Sequence, residues 1–246
     1  MSDTPAANPR VLVIVPAYNE ADAIERVVNS LHAQLPGVDV LVVDDGSTDA
    51  TAQRVPRTAA CISLPFNLGI GGAMQTGYRY ADLHDYDVAV QRDGDGQHPV
   101  ERVPDLVARL AADEADMVIG SRFLEPGGYE QTAARAAGIA VLRSLLKVLT
   151  GKTFTDCTSG FRAVNRRVIH AFSHWYPEDY PEPEVVLLLH RAGFRILDLP
   201  VTMRQRETGR TSIPLMRGVF YVIKVAVSLV LDMARDPWPK DKVNRT

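Results

Sequence analysis

Val38-Asp39-Val40-Leu41-Val42-Val43 runs without a break into Asp44-Asp45-Gly46-Ser47-Thr48-Asp49. A short β-branched run closed by turn residues reads as a strand buried on both faces, the pattern of a parallel sheet. The stretch before it follows the same grammar. Val11-Leu12-Val13-Ile14-Val15 ends at the breaker Pro16, and Ile24, Val27, Val28, Leu31 and Leu35 then keep helical spacing behind Asn19, the expected cap. Downstream, Ser47 or Thr48 is expected to cap a further helix. Strands are expected at Cys61 to Leu64, Val88 to Gln91 and Met117 to Ile119, alternating with helices over Gly69 to Leu83 and Pro104 to Ala112. This alternation predicts right-handed βαβ units and a mainly parallel sheet flanked by helices, a Rossmann-like α/β fold.

The second half is less regular. Glu125 to Gln131 reads as a loop, Ala134 to Leu149 as a helix, Asp156 to Arg162 as a polar turn and Glu184 to Ala192 as a helix. Arg195 to Met203 reads as a strand and Gln205 to Pro214 as a basic loop. The expected organisation is a flexible N-terminus over 1–10, one domain over 11–214, and a C-terminal amphipathic helix and tail over 215–246. Within the last segment Arg217, Lys224, Ser228 and Arg235 fall almost on one line of a helix whose remainder is largely apolar. A narrow basic stripe on an apolar body suits a helix in a membrane interface, and equally one packed on the sheet or in an oligomer contact.

Composition narrows the function classes. The chain has 246 residues, 46% of them hydrophobic, and 27 Lys/Arg against 30 Asp/Glu for a net charge of −3. That excludes a disordered tail and argues against a dedicated nucleic-acid binder. Two cysteines, Cys61 and Cys157, make no disulfide framework and fit a reducing compartment. Met1 to Arg10 lacks the apolar core of a signal peptide, and no uncharged apolar run reaches the ~18 residues of a membrane span. The expected location is therefore cytoplasmic.

Ligands of such sheets sit beyond the carboxyl ends of the strands. Those ends carry Tyr18, Asp44/Asp45, Asp93/Asp95 and Arg122. Asp93-Gly94-Asp95 alone is as readily a turn as a metal site, but its place after a strand beside other acids favours Mg²⁺ or Mn²⁺ shared with substrate phosphates. Asp44-Asp45 is an ordinary helix-capping pair or an acceptor for a base N–H or ribose hydroxyl. Gly69-Ile70-Gly71-Gly72 is only loosely a phosphate cradle and reads as close backbone approach at a helix start. Arg122, Arg135, Arg162, Arg204, Arg206 and Arg210 are solvated surface one by one. Together they could hold a diphosphate and a second phosphoryl group. The six histidines show no metal-ligand spacing, His98 reads as a capping or packing residue, and Thr158-Ser159-Gly160 is no hydrolase elbow.

Six ordered motifs carry a resemblance: Pro16-Ala17-Tyr18-Asn19-Glu20, Asp44-Asp45-Gly46-Ser47, Asn67-Leu68-Gly69, Asp93-Gly94-Asp95-Gly96-Gln97-His98, Gly120-Ser121-Arg122 and Thr158-Ser159-Gly160-Phe161-Arg162. From about Val11 to Pro214 the chain resembles inverting family 2 glycosyltransferases of GT-A fold. Among them it is most similar to dolichyl- or polyprenyl-phosphate sugar synthases, and within these to bacterial enzymes loading N-acetylglucosamine or a hexose onto undecaprenyl phosphate. The resemblance implies that Pro16, Ala17, Tyr18, Glu20, Asp44, Asp45 (favoured of the two), Gly71 and Asp93 bind a nucleotide-diphosphate sugar, with Arg206 and Arg210 closing over it. Asp95 and Gln97 would hold the metal. Arg122, Arg135, Ser159 and Arg162 would face the acceptor. Ser212 stands where the lipid-phosphate mannosyl synthases usually have lysine, which puts mannose as donor sugar in question.

The implied chemistry follows from charge. Negative charge builds on the leaving diphosphate, where a cation and arginines stabilise it. A hydroxyl acceptor needs a base, worth ~10²–10⁴-fold, and Asp156 or Glu184 is available for that role. A lipid phosphate, with a second pKa of ~6, needs none. The expected activity is metal-dependent sugar transfer, from a UDP-sugar in the first instance, to polyprenyl phosphate at the inner membrane face, with a homo-oligomer or a membrane partner subunit as further expectations. The alternatives are transfer to a sugar hydroxyl of a growing polysaccharide, or a non-catalytic nucleotide-sugar-binding subunit.

Overall fold

The computed structural model describes residues 9–93, 98–124, 132–202, 215–235 and 238. Seven strands form one sheet: β1 (Val11–Ala17), β2 (Asp39–Asp44), β3 (Ala60–Ser63), β4 (Val88–Gln91), β5 (Met117–Ser121), β6 (Arg162–Asn165) and β7 (Ile196–Pro200). Their spatial order is β3-β2-β1-β4-β6-β5-β7. All neighbours pair parallel except β6, which is antiparallel to both β4 and β5. The mainly parallel sheet is as expected. The polar turn expected over Asp156 to Arg162 runs into β6, a strand the sequence pattern does not announce, because four residues, Arg162-Ala163-Val164-Asn165, are too few to display a period.

Helices cover both faces: α1 (Ile24–Gln34) and α3 (Val103–Ala111) on one, and α2 (Gly69–Leu83), α4 (Ala133–Thr150), α5 (Arg166–His174), α6 (Pro181–Arg191) and α7 (Leu215–Asp232) on the other. Alternation along the strands divides the core accordingly. Leu12, Ile14, Leu41 and Val43 point into the α2 side, while Val11, Val13, Val15, Val40 and Val42 point into the α1/α3 side. Gly77 lets α2 lie directly on β1, since a Cβ there would stand 2.4 Å from Ile14 Cγ2.

Three local expectations are corrected. Asn19 does not cap α1, which begins at Ile24. It sits at φ 55°, donating its amide to Ser47 Oγ and accepting the Thr48 amide on Oδ1, so its side chain ties two loops together. Ser47 and Thr48 cap no long helix, and only one 3-10 turn follows, at Ala52–Arg54. Arg10, assigned to the flexible tail, is anchored: its amide donates to Asp87 at 2.8 Å, and its guanidinium lies 4.6 Å from the Tyr86 ring centroid.

Candidate active site

Parallel β1, β2, β4 and β5 all end on one rim of the sheet. Antiparallel β6 begins there, with Arg162 in register with Gln91 of β4 and Ile119 of β5. The rim therefore gathers the residues after β1, β2, β4 and β5 together with the segment preceding β6.

At the β1/β2 end, Tyr18 is exposed while Ala17 is buried and Pro16 and Glu20 are half-buried. The Glu20 amide donates to Thr51 Oγ1 at 2.8 Å, fastening this turn to the one after β2. Asp44 and Asp45 are both buried. Asp45 accepts the Leu68 amide on one oxygen (2.7 Å) and the Gly69 amide on the other (2.9 Å), so it caps α2 from a distance. Burial pushes its pKa up, and these two bonds pull against that shift. Asp44 accepts the Ser47 amide on Oδ1 and has no partner on Oδ2 among the described residues. Each Asp45 oxygen thus already accepts one backbone amide, whereas Asp44 Oδ2 accepts none among the described residues. Gly71 is corrected. A Cβ there would be 2.2 Å from the carbonyl oxygens of Pro177 and Glu178, and its amide donates to Glu178, so it serves helix–loop packing and cradles no phosphate.

Asp93 follows β4. Its amide donates to His98 Nδ1 at 3.1 Å, His98 Nε2 lies 3.5 Å from Asp93 Oδ2, and the imidazole packs on Phe161. His98 thus packs, as expected, and also holds the loop stem. Gly160 approaches from the β6 side, where a Cβ would meet the Asp93 oxygens at 3.1 and 3.2 Å. Beneath lie Gln91 and Arg162, 1% and 2% exposed. Arg162 donates to the carbonyls of Ser159 (2.7 Å) and Cys157 (3.1 Å), and its Nη1 and both Gln91 amide atoms have no partner among the described residues. Gln91 and Gly160 are site residues that pattern reading missed. The available signal was a polar Gln91 closing an otherwise apolar strand.

Arg122 and Asp156 were expected to do separate work, one facing the acceptor and one as a base. They are instead bound to each other. Arg122 Nε and Nη2 donate to the two Asp156 oxygens at 2.6 and 2.7 Å, the Arg122 amide adds a 3.1 Å bond, and Thr158 Oγ1 accepts from Nη2. With Arg122 8% and Asp156 0% exposed, this is a buried fork-to-fork pair. Ser159 donates to the Gly120 carbonyl and accepts the Phe161 amide, so its hydroxyl shapes the turn. Arg162 likewise points into the protein. Arg135 is exposed on the first turn of α4. Glu184 faces Asp232 and Ser228 of α7, and burial followed by the Asp232 charge pushes its pKa up to about 7. Asp95, Gln97, Arg206 and Arg210 lie outside the described residues, as do Arg204 and the side chain of Arg217.

Described members of the expected basic stripe on α7 meet polar partners. Lys224 is ion-paired with Asp179, Ser228 meets Glu184, and Arg235 lies 3.6 Å from Asp232. Val225 and Leu229 are buried, whereas Val219, Phe220, Ile223, Val227, Val230 and Leu231 form an exposed apolar face. No helix among the described residues is long and apolar enough to cross a membrane.

Residues 12–172 match the sequence family described as glycosyl transferase family 2. The chain is 32% identical over 212 residues to an undecaprenyl-phosphate mannosyltransferase of Micrococcus luteus, covering 82% of this chain and 86% of that protein. It is 29% identical to a polyprenol monophosphomannose synthase of Mycolicibacterium smegmatis, covering 92% and 90%. Among solved structures, glucosyl-3-phosphoglycerate synthase from Mycobacterium tuberculosis, in complex with Mn²⁺, UDP and phosphoglyceric acid, superposes with a TM-score of 0.70. The identity is 22%, over 92% of this chain and 78% of that one, and the shared fold is the expected GT-A arrangement.

Two predictions follow from these charges. Asp156→Ala strands the buried Arg122 guanidinium and should cost about 3–5 kcal/mol in chemical denaturation; an unchanged midpoint would show that the pair is not structural. For Glu184 the folded state holds the proton more tightly than the unfolded chain does. The stabilisation of the protonated Glu184–Asp232 pair is therefore complete below about 4.5 and lost as pH rises through about 7. In a urea series across that window, Glu184→Gln should flatten the decline seen for the native chain. Parallel curves would contradict the shared proton.

Proposed function

Because the chain belongs to glycosyl transferase family 2, we propose that it moves a sugar with inversion from a nucleotide-diphosphate sugar, UDP in the first instance, to polyprenyl phosphate. One observation carries the choice of acceptor: Asp156, an expected base, is bound on both oxygens by Arg122. A hydroxyl acceptor needs such a base, and a phosphate, ionised at neutral pH, does not. The named activities of the two bacterial relatives support the same acceptor. They also weaken the objection to mannose drawn from Ser212, so mannose stands among the donor sugars.

The chain's own groups divide the work. Exposed Tyr18 and the Asp44 carboxylate receive the nucleoside. Arg206 and Arg210 bind the diphosphate as its bond to the sugar breaks. Arg135, at the start of an 18-residue helix whose first amides are positive, attracts the acceptor phosphate. The Arg122–Asp156 pair and Ser159 hold the backbone around this cleft in place, so they position and do not touch the reacting atoms. Asp93, Asp95 and Gln97 would hold Mg²⁺ or Mn²⁺. The fit rests on Asp93, a hard oxygen donor at the rim that Gly160 approaches closely, where a Cβ would stand 3.1 and 3.2 Å from its oxygens. Such an ion supplies neutralisation of the charge on the departing diphosphate. The oxygen of the acceptor phosphate forms the new bond to the anomeric carbon, and the nucleoside diphosphate leaves.

The reading includes peripheral contact with the inner face of the membrane, through the apolar face of α7. A lipid acceptor resides there, and the six exposed apolar side chains have no soluble substrate to meet.

The decisive assay offers labelled nucleotide sugars, GDP-mannose included, with undecaprenyl phosphate or with free-sugar acceptors. Label should enter a mild-acid-labile lipid, and Asp95→Asn should lose turnover while still unfolding cooperatively. Label in glycan alone would defeat the reading in favour of a hydroxyl acceptor, and nucleotide binding without turnover would favour a non-catalytic subunit. In liposome flotation, Phe220→Asp combined with Ile223→Asp should reduce membrane association and leave nucleotide affinity unchanged. Equal loss of both would mean that this face is core.

A further inference from the structure

A cluster remote from the rim overturns the reading that the histidines lack ligand spacing. His170 and His174 are one turn apart on α5, and Asp82 reaches them from the last turn of α2. Asp82 lies 13 residues beyond Gly69, the rim end of α2, or about 20 Å along the helix. Nothing in the proposed transfer uses it. Each of the three residues offers a ligand atom, and these atoms lie within 4.8 Å of one another.

We propose that Asp82, His170 and His174 form a second metal site, selective for a borderline divalent ion such as Zn²⁺ over Mg²⁺ or Mn²⁺. His170 Nδ1 lies 3.2 and 3.3 Å from the two Asp82 oxygens. A tetrahedral ion with bonds near 2.1 Å sets its ligand atoms about 3.4 Å apart, so this edge is already the right length. His174 Nδ1 is 2.9 Å from the His170 carbonyl oxygen. A carbonyl only accepts, so Nδ1 carries the proton and Nε2 presents its lone pair, the arrangement in which ligating imidazoles are held. Ser173 Oγ lies 3.0 Å from Asp82 Oδ2, 2.8 Å from the His170 carbonyl oxygen and 3.1 Å from His174 Nδ1, so it braces the cluster. Arg166 is the competing cation, 3.6 Å from Asp82 Oδ1. It is held more closely by Asp85, at 2.8 Å, and also donates to the carbonyls of Ala81 and Tyr86. His174 is exposed, which leaves water to complete the coordination. Two imidazoles with one carboxylate favour zinc-like ions, whereas magnesium and manganese prefer the all-oxygen rim.

The test is calorimetric titration of the full chain with Zn²⁺ in excess Mg²⁺. One zinc should bind per chain, with affinity reduced roughly tenfold or more by His174→Ala and unchanged by Asp93→Asn. Zinc should also raise the melting temperature of the native chain and not that of His174→Ala, whose exposed side chain is dispensable for folding. Binding that survives His174→Ala, that is lost in Asp93→Asn, or that excess Mg²⁺ abolishes would overturn the proposal. None of these outcomes depends on sugar transfer, so the site and the proposed function fail separately.

Discussion

The direction of β6 is the constraint on which the rest of the structure depends. In a wholly parallel sheet each strand delivers its carboxyl end to the rim and its amino end to the opposite edge. β6 runs the other way between β4 and β5, so its amino end, with Asp156 to Phe161 ahead of it, arrives beside Asp93 and Arg122. The ladders on both sides of β6 fix that arrival, because a one-residue slip would turn Ala163 out of the α1/α3 core and Val164 out of the other.

Charges brought to the rim are neutralised locally before any ligand arrives. Arg122 has Asp156, Arg162 has two carbonyls, and Asp45 has two amides at the start of α2. Groups held this way need little reorganisation when charge moves in a reaction, and preorganised electrostatics is a main source of catalytic rate. The same bonds remove Asp156 from service as a base. Geometry that would look like an acid–base pair in a list of residues is a brace in space, and an expected base held in this way suits the proposed acceptor, which arrives already ionised.

On α7 a comparable inversion occurs. Lys224 and Ser228 meet Asp179 and Glu184, and Val225 and Leu229 are buried, while Val219, Phe220, Ile223, Val227, Val230 and Leu231 remain exposed. A helix of a water-soluble surface distributes the two kinds of residue in the opposite sense. That exposed apolar face, more than any single residue, is the physical ground on which contact with lipid is proposed.

Local pattern determined much of this protein. The buried strands at Val11, Val38 and Val88, the helices over Gly69 to Leu83 and from Ala134, and the acids after the strands were legible because burial on both faces demands continuous apolar runs and turns demand Gly and Asp. The family was legible because its motifs are short and contiguous. Tertiary structure alone decided which charges meet. Arg122 and Asp156 are 34 residues apart, Asp45 and Gly69 24, and Asp82 and His170 88. Pairing over such separations leaves no periodic trace in the chain. An arginine bound to a buried carboxylate and one open to a ligand are spelled alike, and only the fold, by setting distance and exclusion of water, distinguishes a brace from a binding group.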